Sequence, residues 1–220
     1  MLEELLSVHG LGVVGRFRPS DEDGAPEGTG EVALIGSASS SMWTVFRHSP
    51  EYRDDQPDPL DRWSRRVISG IARQTGGHAL FPFGGPPWQP FLRWAARGEG
   101  AVSSPVAMQV SPTRGLWMSY RGALAYRDPC IVDEHAPGSP CLDCAAPCRN
   151  ACPVDAFAGG RYDVARCVAH ITSPDGRECE TGCLARIACP AGTPPPKEQR
   201  AFHMKSFIRA HLPARTPESD

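Results

Sequence analysis

Nine cysteines, all at or beyond position 130, constrain this 220-residue chain more than any other feature. Eight of them crowd into residues 141 to 189. Cys141, Cys144, Cys148 and Cys152 stand in CLDCAAPCRNACP, Cys167 in RCVAHI, and Cys179, Cys183 and Cys189 in CETGCLARIACP. The spacings are C-x2-C-x3-C-x3-C-P and C-x11-C-x3-C-x5-C-P, each run ending in Cys-Pro. A chain of this length can bury a core without covalent staples. The N-terminal MLEELLSVHG carries acidic residues where a secretory leader carries basic ones, which places the protein in the cytoplasm. In a reducing compartment, closely spaced thiols read as metal ligands before they read as disulfides.

The first run is close to the C-x2-C-x2-C-x3-C-P pattern that binds iron–sulfur clusters, with one gap a residue longer. Each [4Fe-4S] cluster takes four thiolates. In two-cluster proteins the last cysteine of one run serves the other cluster, and the proline after it turns the chain away. That rule assigns Cys141, Cys144, Cys148 and Cys189 to cluster 1, and Cys152, Cys167, Cys179 and Cys183 to cluster 2. Cys130 is left over as a spare thiol. Structural zinc sites and disulfides remain as alternatives, although neither requires the two Cys-Pro endings. His170 and His203 lie near the module and read as structural histidines.

The absence of cysteine from residues 1–129 marks a boundary between units near residues 127 to 140, where RDPCIVDEHAPGSP has linker chemistry. Three segments follow: an α/β domain over 1–129, an iron–sulfur domain over 130–200, and a helix with a polar tail over 201–220. In the first, LEELLSVHG reads as a helix stopped by Gly10, and GVVGRF and EVALIG as strands about a polar loop. PDPLDRWSRRVISGIARQTGG carries the strongest helix signal, with Asp58 as cap, Pro59 in the first turn and Gly76 as stop. Leu60, Trp63, Val67 and Ile71 share its inward face, while Arg62, Arg65, Arg66 and Arg73 fall on a solvated surface. ALFPF reads as a strand, and VAMQVSPTRGLWMSYRGALAY as two strands about a Pro-Thr-Arg-Gly turn. KEQRAFHMKSFIRAHL is an amphipathic helix with Ala201, Met204, Phe207 and Ile208 inward. Strands mixed with helices make the fold class α+β.

No apolar run reaches the roughly 18 residues of a membrane helix. A net charge of -2 and a pI near 6.4 offer no electrostatic footprint for nucleic acid. The expected partner is another redox protein.

CLDCAAPCRNACP, RCVAHI and TGCLARIACP together resemble the ferredoxin domain of epoxyqueuosine reductases and corrinoid reductive dehalogenases. DPLDRW and SPTRGLWMSYRGALAY resemble the cobalamin-processing proteins of CblC type, with Gly115, Trp117, Arg121 and Gly122 in step. These resemblances imply a nitroreductase-like N-terminal α/β domain that holds a corrinoid such as cobalamin, or a flavin. They also imply a ferredoxin-like domain whose two clusters feed that cofactor electrons, as in an oxidoreductase. Contact with the cofactor by Trp117 and Arg121 stands beside ordinary strand packing. The alternative function is a ferredoxin-type electron carrier whose N-terminal domain docks a partner and holds no second cofactor.

Overall fold

The computed structural model describes residues 1–37, 40–128 and 138–212. Cys130, most of the expected linker and all but Leu212 of the polar tail lie outside them. The described chain is α+β, with a small antiparallel sheet. It divides into two compact units. The first comprises Met1–Val102, Val110–Pro112 and Met118–Ser139, and the second comprises Ser103–Gln109, Thr113–Trp117 and Pro140–Asp220.

In the first unit, α1 (Leu2–Ser7) leads into β1 (Leu11–Phe17) and β2 (Glu31–Ser37), followed by α2 (Ser41–Phe46), α3 (Pro50–Arg53), α4 (Pro59–Thr75), β3 (His78–Leu80) and α5 (Phe91–Glu99). The two-residue strands β4 (Val102–Ser103) and β5 (Gln109–Val110) pair with each other, and β6 (Tyr120–Tyr126) returns to the main sheet. That sheet has the order β1-β2-β6-β3, antiparallel throughout. β2 is an inner strand, and its Val32, Ala33, Leu34 and Ile35 are all buried, as a continuous apolar run demands. Phe17, Leu34, Leu80, Phe91 and Trp94 form one core cluster with Ala123 and Ala125 of β6.

Helix α5 comes down on β1 at two glycines. A Cβ on Gly15 would stand 2.2 Å from the Gly98 carbonyl oxygen, so neither backbone could come this close with a side chain between them. Val14 beside it is the extra residue of a bulge, because Val13 pairs with Ile35 and Gly15 with Leu34.

Helix α4 ends at Gly76, whose φ of 71° lets its N–H reach back to Ala72. Leu60, Trp63, Val67 and Ile71 are buried along it. Its start differs from expectation. Asp58 makes no side-chain cap and sits at φ 50°, and its carbonyl instead accepts the N–H groups of Asp61 and Arg62. Arg65, Arg66 and Arg73 are exposed on this helix, as a solvated face predicts, and three of its arginines also find partners. Arg62 grips Asp54 with two bonds of 2.7 Å, Arg66 pairs with Glu51, and Arg65 lies 5.2 Å from the Phe81 ring.

The expected hairpin through VAMQVSPTRGLWMSYRGALAY does not form. β5 pairs with β4 and β6 joins the main sheet, while the turn between them, Thr113–Trp117, packs as part of the second unit. Gly115 explains the departure: at φ 57° its missing Cβ would stand 1.7 Å from the Ala191 carbonyl oxygen, so the turn is shaped by a backbone distant in sequence.

The described part of the second unit is built from loops, short 3-10 turns and three helices: α6 (Val164–Ile171), α7 (Leu184–Ile187) and α8 (Lys197–His211). Asp163 caps α6 by accepting the Arg166 N–H at 2.9 Å. The buried cluster is small, Ile171, Cys179 and Met204, with Leu184, Phe207 and Ile208 packed against it. No described helix is long and apolar enough to cross a membrane.

Candidate metal centre

All eight cysteines from Cys141 to Cys189 are free thiols, half-buried or buried. Cys148 lies in the 3-10 turn Pro147–Arg149, Cys179 in the turn Pro174–Thr181, Cys167 in the middle of α6, and Cys183 immediately before α7.

Four of the thiols, those of Cys152, Cys167, Cys179 and Cys183, line one cavity of about 150 Å³. That is several times the ~30 Å³ share of a water molecule. Its lining also includes Tyr162, Phe207, His170, His203 and Arg186. Burial pushes the Cys179 thiol up to about 11, with further pressure from Cys183, Glu178, Cys167 and Cys152. Burial also raises Cys167, opposed by a hydrogen bond from Tyr162 and reinforced by Cys183 and Cys152. Cys183 is raised chiefly by burial, and the backbone N–H groups of Arg186 and Ala185 partly offset this.

Among the remaining four, Cys148 is the thiol on which the other three act. Burial raises Cys148, and Cys189, Cys141 and Cys144 add to the shift in that order. Backbone N–H groups point at sulfur here and in the cavity: Ala146 donates to Cys144 Sγ at 3.4 Å and Ala156 to Cys152 Sγ at 3.3 Å. Thiols pushed upward by burial and by each other resist ionisation until positive charge arrives, and bound metal supplies such charge.

An aromatic stack walls the cavity. Phe157 stacks on Tyr162 at 4.8 Å, and Phe207 stacks on Tyr162 at 6.1 Å. Burial, followed by the bond to Cys167, drives the Tyr162 phenol well above its usual range, so it remains a donor at any physiological pH. His170 Nε2 is buried and has no partner among the described residues. Sequence reasoning missed Tyr162 and Arg186. Their only signals are position, five residues before Cys167 and midway between Cys183 and Cys189.

The four residues expected to touch a corrinoid or flavin divide between the units. Gly115 and Trp117 belong to the second. Trp117 carries the Arg186 guanidinium on its ring, 4.4 Å from the centroid, and Arg186 Nε donates to the Leu116 carbonyl at 2.9 Å. Arg121 and Gly122 belong to the first. Gly122 is a packing position, since a Cβ there would stand 2.9 Å from Ile68 and 3.0 Å from the Leu80 carbonyl oxygen. Arg121 is the unpaired residue of a bulge, because Ile35 pairs with Gly122 and Gly36 with Tyr120. Its guanidinium lies 3.5 Å from Asp61. Burial pushes the Asp61 carboxyl up and Arg121 pulls it back.

Among the described residues, no group of three or more His, Cys, Asp or Glu side chains is arranged to hold one metal ion. No family model matches the chain, nor does any curated protein.

Proposed function

We propose that the chain binds two [4Fe-4S] clusters, one on Cys141, Cys144, Cys148 and Cys189 and one on Cys152, Cys167, Cys179 and Cys183, and that it transfers electrons. The observation that carries this is the reach of each run into the other. Cys189 is the strongest thiol neighbour of Cys148, and Cys152 acts on Cys167, Cys179 and Cys183 across a shared cavity. The donor set fits the group chemically. Four thiols, inward N–H groups and the unpartnered His170 nitrogen match what an iron–sulfur cluster takes as ligands and as hydrogen-bond donors to its sulfurs. When bound, the clusters supply one-electron oxidation and reduction. The chain's own residues hold the thiolates, keep water out with the Phe157, Tyr162 and Phe207 rings, and donate N–H bonds to sulfur.

The electrons serve a corrinoid or a flavin in the first unit, which we propose is nitroreductase-like beside a ferredoxin-like second unit. A second possibility, a carrier that docks a redox partner and holds no further cofactor, is favoured by one observation. Gly115, Trp117, Arg121 and Gly122 are all committed to packing or to pairing within their own units.

Anaerobic purification with iron and sulfide analysis tests the cluster assignment, with about eight irons per chain expected. A colourless protein holding zinc would overturn it. Titration with hydroxocobalamin and with flavin nucleotides separates the two possibilities, since a spectral change with either compound requires a second cofactor and none leaves the carrier.

A further inference from the structure

Arg186 is a cation without a carboxylate. The ionisable groups that act on it are Cys183 and Tyr162, with no Asp or Glu among them. Every described ion pair of the protein lies elsewhere. What holds the side chain in place is neutral: the Leu116 carbonyl on Nε and the Trp117 ring, 4.4 Å from Cζ. A buried charge held only by neutral groups is costly unless an opposite charge lies nearby. Arg186 is one of the residues lining the cavity that Cys152, Cys167, Cys179 and Cys183 share, and its charge acts on Cys183.

We propose that Arg186 is the fixed counter-charge of this second thiol quartet, placed to balance the negative charge that the quartet carries once it is loaded with iron. The proposal rests on the iron–sulfur function proposed above. Four thiolates around a [4Fe-4S] core leave a net negative charge, and each electron taken up adds another. A guanidinium fixed against the cavity wall therefore favours the reduced state more than the oxidised one. Leu116 and Trp117 are the positioning groups for this cation. The bond from Nε and the ring 4.4 Å from Cζ hold the guanidinium in place.

The test is a potentiometric titration of the full-length, iron-loaded protein, using dithionite as the electron donor and following each cluster by EPR. Arg186→Gln is expected to shift one of the two midpoint potentials to more negative values and to leave the other where it was. Arg186→Lys, which keeps the charge, is expected to restore most of the lost potential. Arg186→Met preserves the bulk of the stem and takes the place of the Gln variant if that one fails to assemble, with the same negative shift expected. Equal potentials in the wild-type and neutral variants, both carrying about eight irons, would overturn the role of Arg186 and leave the clusters standing. A shift of the same size in Arg186→Lys would also overturn it, because charge would then not be the cause. A wild-type chain that binds no iron would overturn both proposals.

Discussion

Among single residues, Cys189 distinguishes most sharply between two ways of using the eight thiols. It follows Cys183 by six positions, yet the thiol it presses on is Cys148. Cys189→Ser is therefore expected to lower the iron content from about eight to about four per chain and to remove the EPR signal of one cluster only, with the Cys152 set retained. Loss of the other signal would reverse the assignment. Glu51 provides a pH test in the first unit. Its carboxylate is held below the ordinary glutamate range, first by the hydrogen bond from Arg66. A lowered carboxyl contributes stability that is fully present above its unfolded value near 4.5 and is lost as pH falls through that value and below it. Glu51→Gln should cost about 1 kcal/mol at neutral pH, reduced from a buried pair because Arg66 is half exposed, and progressively less as the pH falls below 4.5. Urea denaturation at neutral and at acid pH reads the difference.

At the level of elements, the packing of α5 on β1 depends on two glycines that no periodicity would single out. Gly15→Ala places a methyl group 2.2 Å from the Gly98 carbonyl oxygen, and neither backbone can yield without moving the helix off the strand. The expected cost is about 3 kcal/mol, seen as a lowered denaturation midpoint with an unchanged slope. Helix α4 shows the opposite relation between sequence and structure. Its apolar spacing, Pro59 and Gly76 made it legible in advance, because helix periodicity and end signals are local. The hairpin about Pro112 to Gly115 was not legible. The turn residues were present, but the partner that shapes Gly115 is Ala191, distant in sequence. Tertiary packing overrode the local strand pattern.

On the scale of the whole molecule, the two units differ in how they are held together. The first buries a continuous core between sheet and helices, whereas one described apolar cluster of the second centres on Ile171, Cys179 and Met204. On the proposed iron–sulfur reading, the second unit draws part of its stability from bound metal. Stripping the iron with a chelator is expected to abolish hydrogen-exchange protection across α6, α7 and α8 and to preserve it in the β1-β2-β6-β3 sheet. Equal loss in both units, or none, would refute this. The sequence by itself determined the α+β class, the inward face of α4 and the set of thiols available for metal, because composition, local period and residue chemistry are properties of the chain. Only the tertiary structure decided that Gly115 and Trp117 serve the second unit while Arg121 and Gly122 serve the first. It alone placed Tyr162, His170 and Arg186 in the wall around the second quartet. Side chains separated by long, irregular loops meet through packing and loop closure, and neither leaves a period in the sequence.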